Sequence, residues 1–188
     1  MSSTRETHAP HPPLAPLQRA CARLAAAGIP QALGTSGLLY SMGLVDHVND
    51  WDVTCDAELE TLQRLFADEP TVAFGSSGIH ADAKLQIAGG SIELIANYAF
   101  FVPGGVVRIP TIVGGSWNGV ATGTPEVWAA AYWLMGHLED VPRRGERAER
   151  VFEWLLEHGA DGAVLARLFA EPLPAALAAR LAALPKRD

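Results

Sequence analysis

Lysine is almost missing: only Lys84 and Lys186 occur among 188 residues, and the formal net charge is −7. A broad nucleic-acid surface needs clustered Lys and Arg to displace counterions from phosphates, so this balance argues against one. It leaves room for a small nucleotide, which a few local donors can hold. Cysteine is scarce as well. Cys21 and Cys55 show no Cys-x-x-Cys spacing, which disfavours a zinc site or a disulfide framework and suits a reducing cytoplasm. No run of 18 uncharged apolar residues is present, so no membrane-spanning helix is expected. The opening stretch MSSTRETHAPHPPLAP lacks an apolar core and does not read as a signal peptide. Residues 1–14 read instead as a short disordered tail, with His8 and His11 as tail residues rather than metal ligands.

What is present suffices for a folded domain. Hydrophobic residues make up 49% of the chain and charged residues 19%, too apolar for disorder. APLQRACARLAAAG, residues 15–28, predicts an amphipathic helix that Gly28 and Pro30 stop. A short strand, the turn Gly34-Thr35-Ser36-Gly37 and an apolar helical stretch to Leu44 follow. VNDWDVTCD predicts a strand, and AELETLQRLFADE a helix capped by Asp56. Thr71 to Phe74 predicts a strand, and GIHADAKLQIAGGSIELIANYAF two strands turning at Gly89-Gly90. VVRIPTIVGGSWNGVA predicts a hairpin turning at Gly114-Gly115. From Thr124 the texture becomes helical, opened by Thr124 as N-cap, Pro125 at the first helical position and Glu126 complementing the dipole. The expected architecture is α/β (α+β): a mixed-sheet core over residues 15–123 and a helical C-terminal extension over 124–188.

Three features point to chemistry. Asp50 and Asp52 lie two positions apart in a strand, so both carboxylates face one side and repel unless a cation lies between them. Glu93 is the only charge in the apolar run SIELIANYAF, and a carboxylate in a buried strand calls for a cation or strong donors. The turn at 34–37 offers small residues and backbone amides at a helix start, a setting that favours an anion such as phosphate. A hard divalent cation such as Mg2+ prefers carboxylate and phosphate oxygens, which would join the three features into one site.

The sequence resembles the nucleotidyltransferase superfamily, the polymerase β-like fold. The resemblance rests on Gly34-Thr35-Ser36-Gly37, Asn49-Asp50-Trp51-Asp52-Val53 and Ile92-Glu93-Leu94-Ile95, and covers roughly residues 30–135. Within the superfamily it is most similar to small bacterial members near the antibiotic nucleotidyltransferases and AbiEii-type toxins, where a Pro-Glu pair like Pro125-Glu126 also opens the helix after the core. The resemblance implies transfer of a nucleoside monophosphate from an NTP to a hydroxyl, with release of pyrophosphate. It implies that Asp50, Asp52 and Glu93 are catalytic and bind Mg2+, with Glu93 also available as general base. Gly34, Thr35, Ser36, Gly37 and Lys84 would contact the nucleotide. The acceptor is expected to be a small hydroxylated molecule rather than RNA, with a protein hydroxyl as the other option.

Three positions depart from the family's pattern. Glu93 stands where Asp is usual, Thr-Ser-Gly replaces Gly-Ser, and Tyr132 stands where AbiEii-like relatives tend to carry lysine. Lys84 or arginines among Arg143, Arg144, Arg147 and Arg150 would have to supply the missing cation; the rival reading of those arginines is a solvated helix face. The competing functions are a binding or partner protein that keeps the fold without the activity, and a metal-dependent phosphate hydrolase. Asp82 reads as a solvated strand residue, His47 and His80 as structural or surface residues, with acid–base assistance the rival role for His80 near the acidic strands, and Trp51 as packing behind the sheet. Trp117 beside Asn118 reads as packing, with stacking on a base or acceptor ring as the alternative.

Overall fold

Between Trp51 and Cys55 every second residue is apolar, and Trp51, Val53 and Cys55 are fully buried. This alternation, repeated in neighbouring strands, fixes the sheet of the computed structural model, which describes residues 9–139 and 141–187. In chain order the elements are α1 (Leu14–Ala26), β1 (Gln31–Leu33), α2 (Thr35–Ser41), β2 (Trp51–Cys55), α3 (Leu59–Leu65) and β3 (Val72–Phe74). Then come β4 (Ala83–Ile87), β5 (Ile92–Ala96), β6 (Ala99–Val102), β7 (Gly105–Arg108), β8 (Val113–Trp117) and β9 (Val120–Gly123). Helices α4 (Pro125–Leu138), α5 (Pro142–His158), α6 (Gly162–Phe169) and α7 (Ala175–Ala182) close the chain.

A mixed sheet runs β3-β4-β5-β2-β1-β9-β8, and β6 with β7 forms a separate ribbon. At its centre β2 pairs parallel with β5, and Asp52 lies directly beside Glu93. Next door, antiparallel β4 sets Gln86 beside Glu93 and Lys84 beside Ile95. Adjacent residues in register share a face, so Asp52, Glu93, Gln86 and Lys84 all lie on the front of the sheet. The back carries Trp51, Val53, Cys55, Leu85, Ile92 and Leu94, which pack with Leu17, Cys21 and Leu24 of α1 and Leu62 of α3. Trp51 therefore packs behind the aspartates, as alternation requires.

The front is roofed by α4, in which every residue from Glu126 to Met135 is buried. A helix apolar all round belongs in an interior. Around it pack α5, α6 and α7, together with Ile95, Tyr98, Phe100 and Val107. The C-terminal helices thus share a core with the front of the sheet. Glu126 fastens this junction, its Oε1 accepting the Asp161 amide at 2.7 Å.

Several local expectations are corrected. The last hairpin turns at Asn118-Gly119, whose φ values are 49° and 76°, while Gly114 and Gly115 lie within β8. An Asn-Gly pair accepts the two left-handed conformations of a tight hairpin turn, so it outweighs Gly-Gly as a signal. Helix α3 starts after Glu58, so Asp56, expected as its cap, lies outside the capping position, and the observed cap residue Glu58 makes no side-chain cap hydrogen bond. Thr124 does occupy the cap position of α4, but its side chain makes no cap hydrogen bond either. The β6–β7 ribbon was not foreseen as a separate pair. Residues 9–13 are not an unstructured tail. The Pro10 carbonyl accepts the Val48 amide at 2.8 Å, and the His11 ring packs 5.4 Å from both Tyr40 and Trp51. Leu14, the last residue of the expected tail, begins α1, and residues 1–8, His8 included, lie outside the described residues.

Candidate active site

On the front of the sheet, beneath α4 and the start of α5, lies a cavity of about 380 Å3. Its walls include Thr35, Ser36, Asp50, Asp52, Lys84 and Glu93. Of the residues singled out from sequence, Gly34 and Gly37 are absent from the lining, and their smallness has another cause. A Cβ on Gly34 would fall 1.9 Å from the Trp128 ring, and one on Gly37 would fall 2.7 Å from Leu33. Packing keeps both as glycine. Gly34 also donates its amide to the Asp52 carbonyl at 2.9 Å, which anchors the turn to β2.

Thr35, the first residue of α2, takes φ = 41°, a left-handed conformation costly for a β-branched residue. The twist aims its hydroxyl at Asp52, and Oγ1 donates to Oδ2. Burial at the cavity floor drives the Asp52 carboxyl up to about 7, and the nearby charges of Asp50 and Glu93 push the same way against the Thr35 hydrogen bond. Asp50 is raised too, by burial first and then by Glu93. Among the described residues neither aspartate has an ion-pair partner.

Glu93 is differently placed. Lys84 Nζ donates to its Oε1 at 2.7 Å, and Gln86 Nε2 to its Oε2 at 3.3 Å. The sequence assigned Lys84 to the nucleotide; the structure has its ammonium on Glu93, in the diagonal position that strand register dictates. Among the described residues no group of three or more His, Cys, Asp and Glu side chains is arranged to hold a metal ion. The donors present fit a divalent cation in a narrower way. Asp50 and Asp52 offer hard carboxylate oxygens with no ion-pair partner among the described residues, and Mg2+ is commonly held by one or two carboxylates together with substrate phosphates.

A second layer was not legible in the sequence. His80 lies between two carboxylates, with Nδ1 3.2 Å from Asp82 Oδ1 and Nε2 2.7 Å from Glu139 Oε1. Burial opposes charge on this imidazole, but the two carboxylates prevail and raise its pKa. Asp82, expected in solvent, is 3% exposed and also accepts the Ala99 amide. Nothing in the spacing of His80 and Asp82 announces Glu139, which arrives from the end of α4. Asp82, His80, Lys84 and Glu93 also line an adjoining groove of about 380 Å3 that runs past Phe74 and Gln86. Arg143, Arg144 and Arg147 face the main cavity, whereas Arg150 donates to the Leu44 carbonyl. Trp117 lies away from this cavity, 5.8 Å from Tyr40 and 5.9 Å from Trp51. His47 is exposed near Arg143 and Arg147. No helix among the described residues is long and apolar enough to cross a membrane.

No protein-family model and no curated protein sequence matches the chain. Solved structures do. A candidate nucleotidyltransferase from Thermotoga maritima superposes with a TM-score of 0.52 at 19% identity, covering 77% of this chain and 92% of its own. The crystal structure of ANT(2″)-Ia in complex with adenylyl-2″-tobramycin gives 0.53 at 13% identity, with 90% and 96% covered. The solution structure of the antibiotic-resistance factor ANT(2″)-Ia gives 0.53 at 16%, with 82% and 88% covered. Likeness at these identities is likeness of architecture, and on it the mixed sheet roofed by helices has the nucleotidyltransferase fold.

Proposed function

We propose that the protein transfers a nucleoside monophosphate from an NTP to a hydroxyl of a small acceptor. The observation that carries this reading is the pairing of Asp52 with Glu93 on one sheet face, with Asp50 in the same cavity. Asp50 and Asp52 would hold Mg2+ together with phosphate oxygens, and the ion would supply charge neutralisation at the phosphorus. Thr35 fixes the Asp52 carboxylate through its hydroxyl. The acceptor oxygen attacks the α-phosphorus, the bond from that phosphorus to the bridging oxygen breaks, and pyrophosphate leaves. Glu93 takes the hydroxyl proton. Lys84 on Oε1 holds the Glu93 carboxylate in place, and Oε2, with only the longer Gln86 contact, is the oxygen that receives the proton.

The groove past Phe74, Asp82 and Gln86 opens onto the same Glu93 and suits the acceptor. Its small volume supports a small molecule over RNA, as does the fold shared with ANT(2″)-Ia, solved with adenylyl-2″-tobramycin. The alternative is a protein that binds nucleotide without turnover. The Lys84–Glu93 pair favours it, because it occupies the third carboxylate with a lysine.

Thermal stability with each NTP, with and without Mg2+, tests the site. Ligand at a hundredfold excess over its Kd adds about 2.7 kcal/mol. A Mg2+-dependent shift for one nucleotide, lost in Asp50→Ala/Asp52→Ala, supports the site; no shift with any nucleotide rejects it. Pyrophosphate release with a panel of hydroxylated acceptors then separates transfer from binding alone.

A further inference from the structure

The cavity has two walls of opposite charge. Asp50, Asp52 and Glu93 belong to the sheet side; Arg143, Arg144 and Arg147 come from α5. Arg143 and Arg144 occupy the first turn of that helix, and that turn holds no acidic residue. Cations there oppose the helix dipole, so these residues are badly placed for the stability of α5 itself. Their position makes sense if the first turn meets an anion.

Other features bring that end of α5 to the cavity. A Cβ on Gly136 of α4 would fall 2.9 Å from the backbone of Gly145, so the missing side chain at Gly136 lets the two helices approach closely just where the arginines emerge. Arg147 then reaches across Tyr132, with Nη1 3.4 Å from the phenol oxygen and the guanidinium 5.7 Å from the ring centre. Arg144 is held by Glu139, which also accepts from His80. Lys84, the other cation in the cavity, is engaged by Glu93.

We propose that the first two turns of α5 are the phosphate-binding wall of the site, with Arg147 and Arg143 gripping the β- and γ-phosphates of the nucleotide. The arginines supply from α5 the charge that Tyr132 cannot supply from α4. A guanidinium offers paired N–H donors that match phosphate oxygens, where a lysine offers a point charge. This proposal rests on the nucleotidyl-transfer reading for the identity of the ligand, but not for the chemistry of the wall.

Calorimetric titration with Mg2+ and each NTP, the matching nucleoside and inorganic pyrophosphate tests it on the full chain. Arg147→Gln is expected to weaken NTP and pyrophosphate about tenfold and Arg143→Gln/Arg147→Gln about a hundredfold, leaving the nucleoside unaffected. Arg147→Lys falls between wild type and Arg147→Gln, and melting curves establish that each variant is folded. Pyrophosphate and NTP affinities in the folded double variant that match those of the wild type overturn the wall, even if transfer proceeds. Arginine-dependent pyrophosphate binding by a chain that binds no NTP keeps the wall and removes the nucleotidyl-transfer reading. A wild-type chain that binds neither overturns both.

Discussion

The two walls of the cavity are built by different means. The carboxylate wall is a product of strand register: once β2 and β5 pair with Asp52 beside Glu93, alternation places both side chains on the front. The arginine wall depends on how one helix packs against another, and on Gly136, where a side chain would strike the backbone of α5. The first wall holds charges that repel one another and wait for a cation. The second holds charges badly placed for their own helix. Each wall is electrostatically costly alone, and a metal–polyphosphate ligand would satisfy both.

Breaking the carboxylate wall has the largest expected effect. Asp52→Ala should lower nucleotide transfer at least about a thousandfold, on the order of 4 kcal/mol, read as pyrophosphate release. Next is packing under the turn. Gly34→Ala forces a methyl into the Trp128 ring and should cost about 3 kcal/mol in chemical denaturation. Unchanged stability with weakened nucleotide binding would show that Gly34 is kept small for a ligand instead.

The same wall should also tax the metal-free fold. Asp52 titrates at about 7 in the folded chain and near 3.8 in the unfolded one. A carboxyl raised in this way favours folding when protonated. That stability is present below about pH 4 and is lost as pH rises through about 7. Asp52→Asn removes the loss and should stabilise the metal-free protein at pH 8 by about 2 kcal/mol after solvent screening, measured by urea denaturation. A variant no more stable than wild type at pH 8 would mean that the charge is relieved elsewhere. The smallest effect is at the join between the walls. Lys84→Met should lower kcat about tenfold with little change in KM, because Lys84 holds Glu93 rather than the phosphates. A rise in KM alone would return Lys84 to the nucleotide.

What was legible in the sequence follows the same division. Periodicity two gave Trp51 to the back of the sheet and the aspartates to the front, and a lone charge in an apolar strand singled out Glu93. Those signals are local. Glycine in the 34–37 turn was ambiguous because a close ligand and a close indole select the same residue, and Trp128 lies more than 90 positions away in sequence. Gly114-Gly115 misled in the same way: a Cβ on Gly114 would fall 2.9 Å from Thr124, at an irregularity in the β8–β9 ladder, so packing within a strand and a turn select the same residue. His80 and Asp82 are two positions apart, but Glu139 reaches them only through tertiary packing, and no spacing encodes its arrival. The placing of Arg143, Arg144 and Arg147 likewise follows from the docking of α5 on α4.

The segment before α1 has a practical use. His11 sits against Trp51, Tyr40 and Trp117, and the Trp51 indole N–H reaches the Pro13 carbonyl at 3.4 Å. Two indoles this close couple their excited states, and an adjacent imidazole quenches indole emission when protonated. Circular dichroism and fluorescence therefore carry an intrinsic, label-free signal for this short segment on the back of the sheet. Ligands could be titrated at the front while that signal reports whether the far side of the molecule responds.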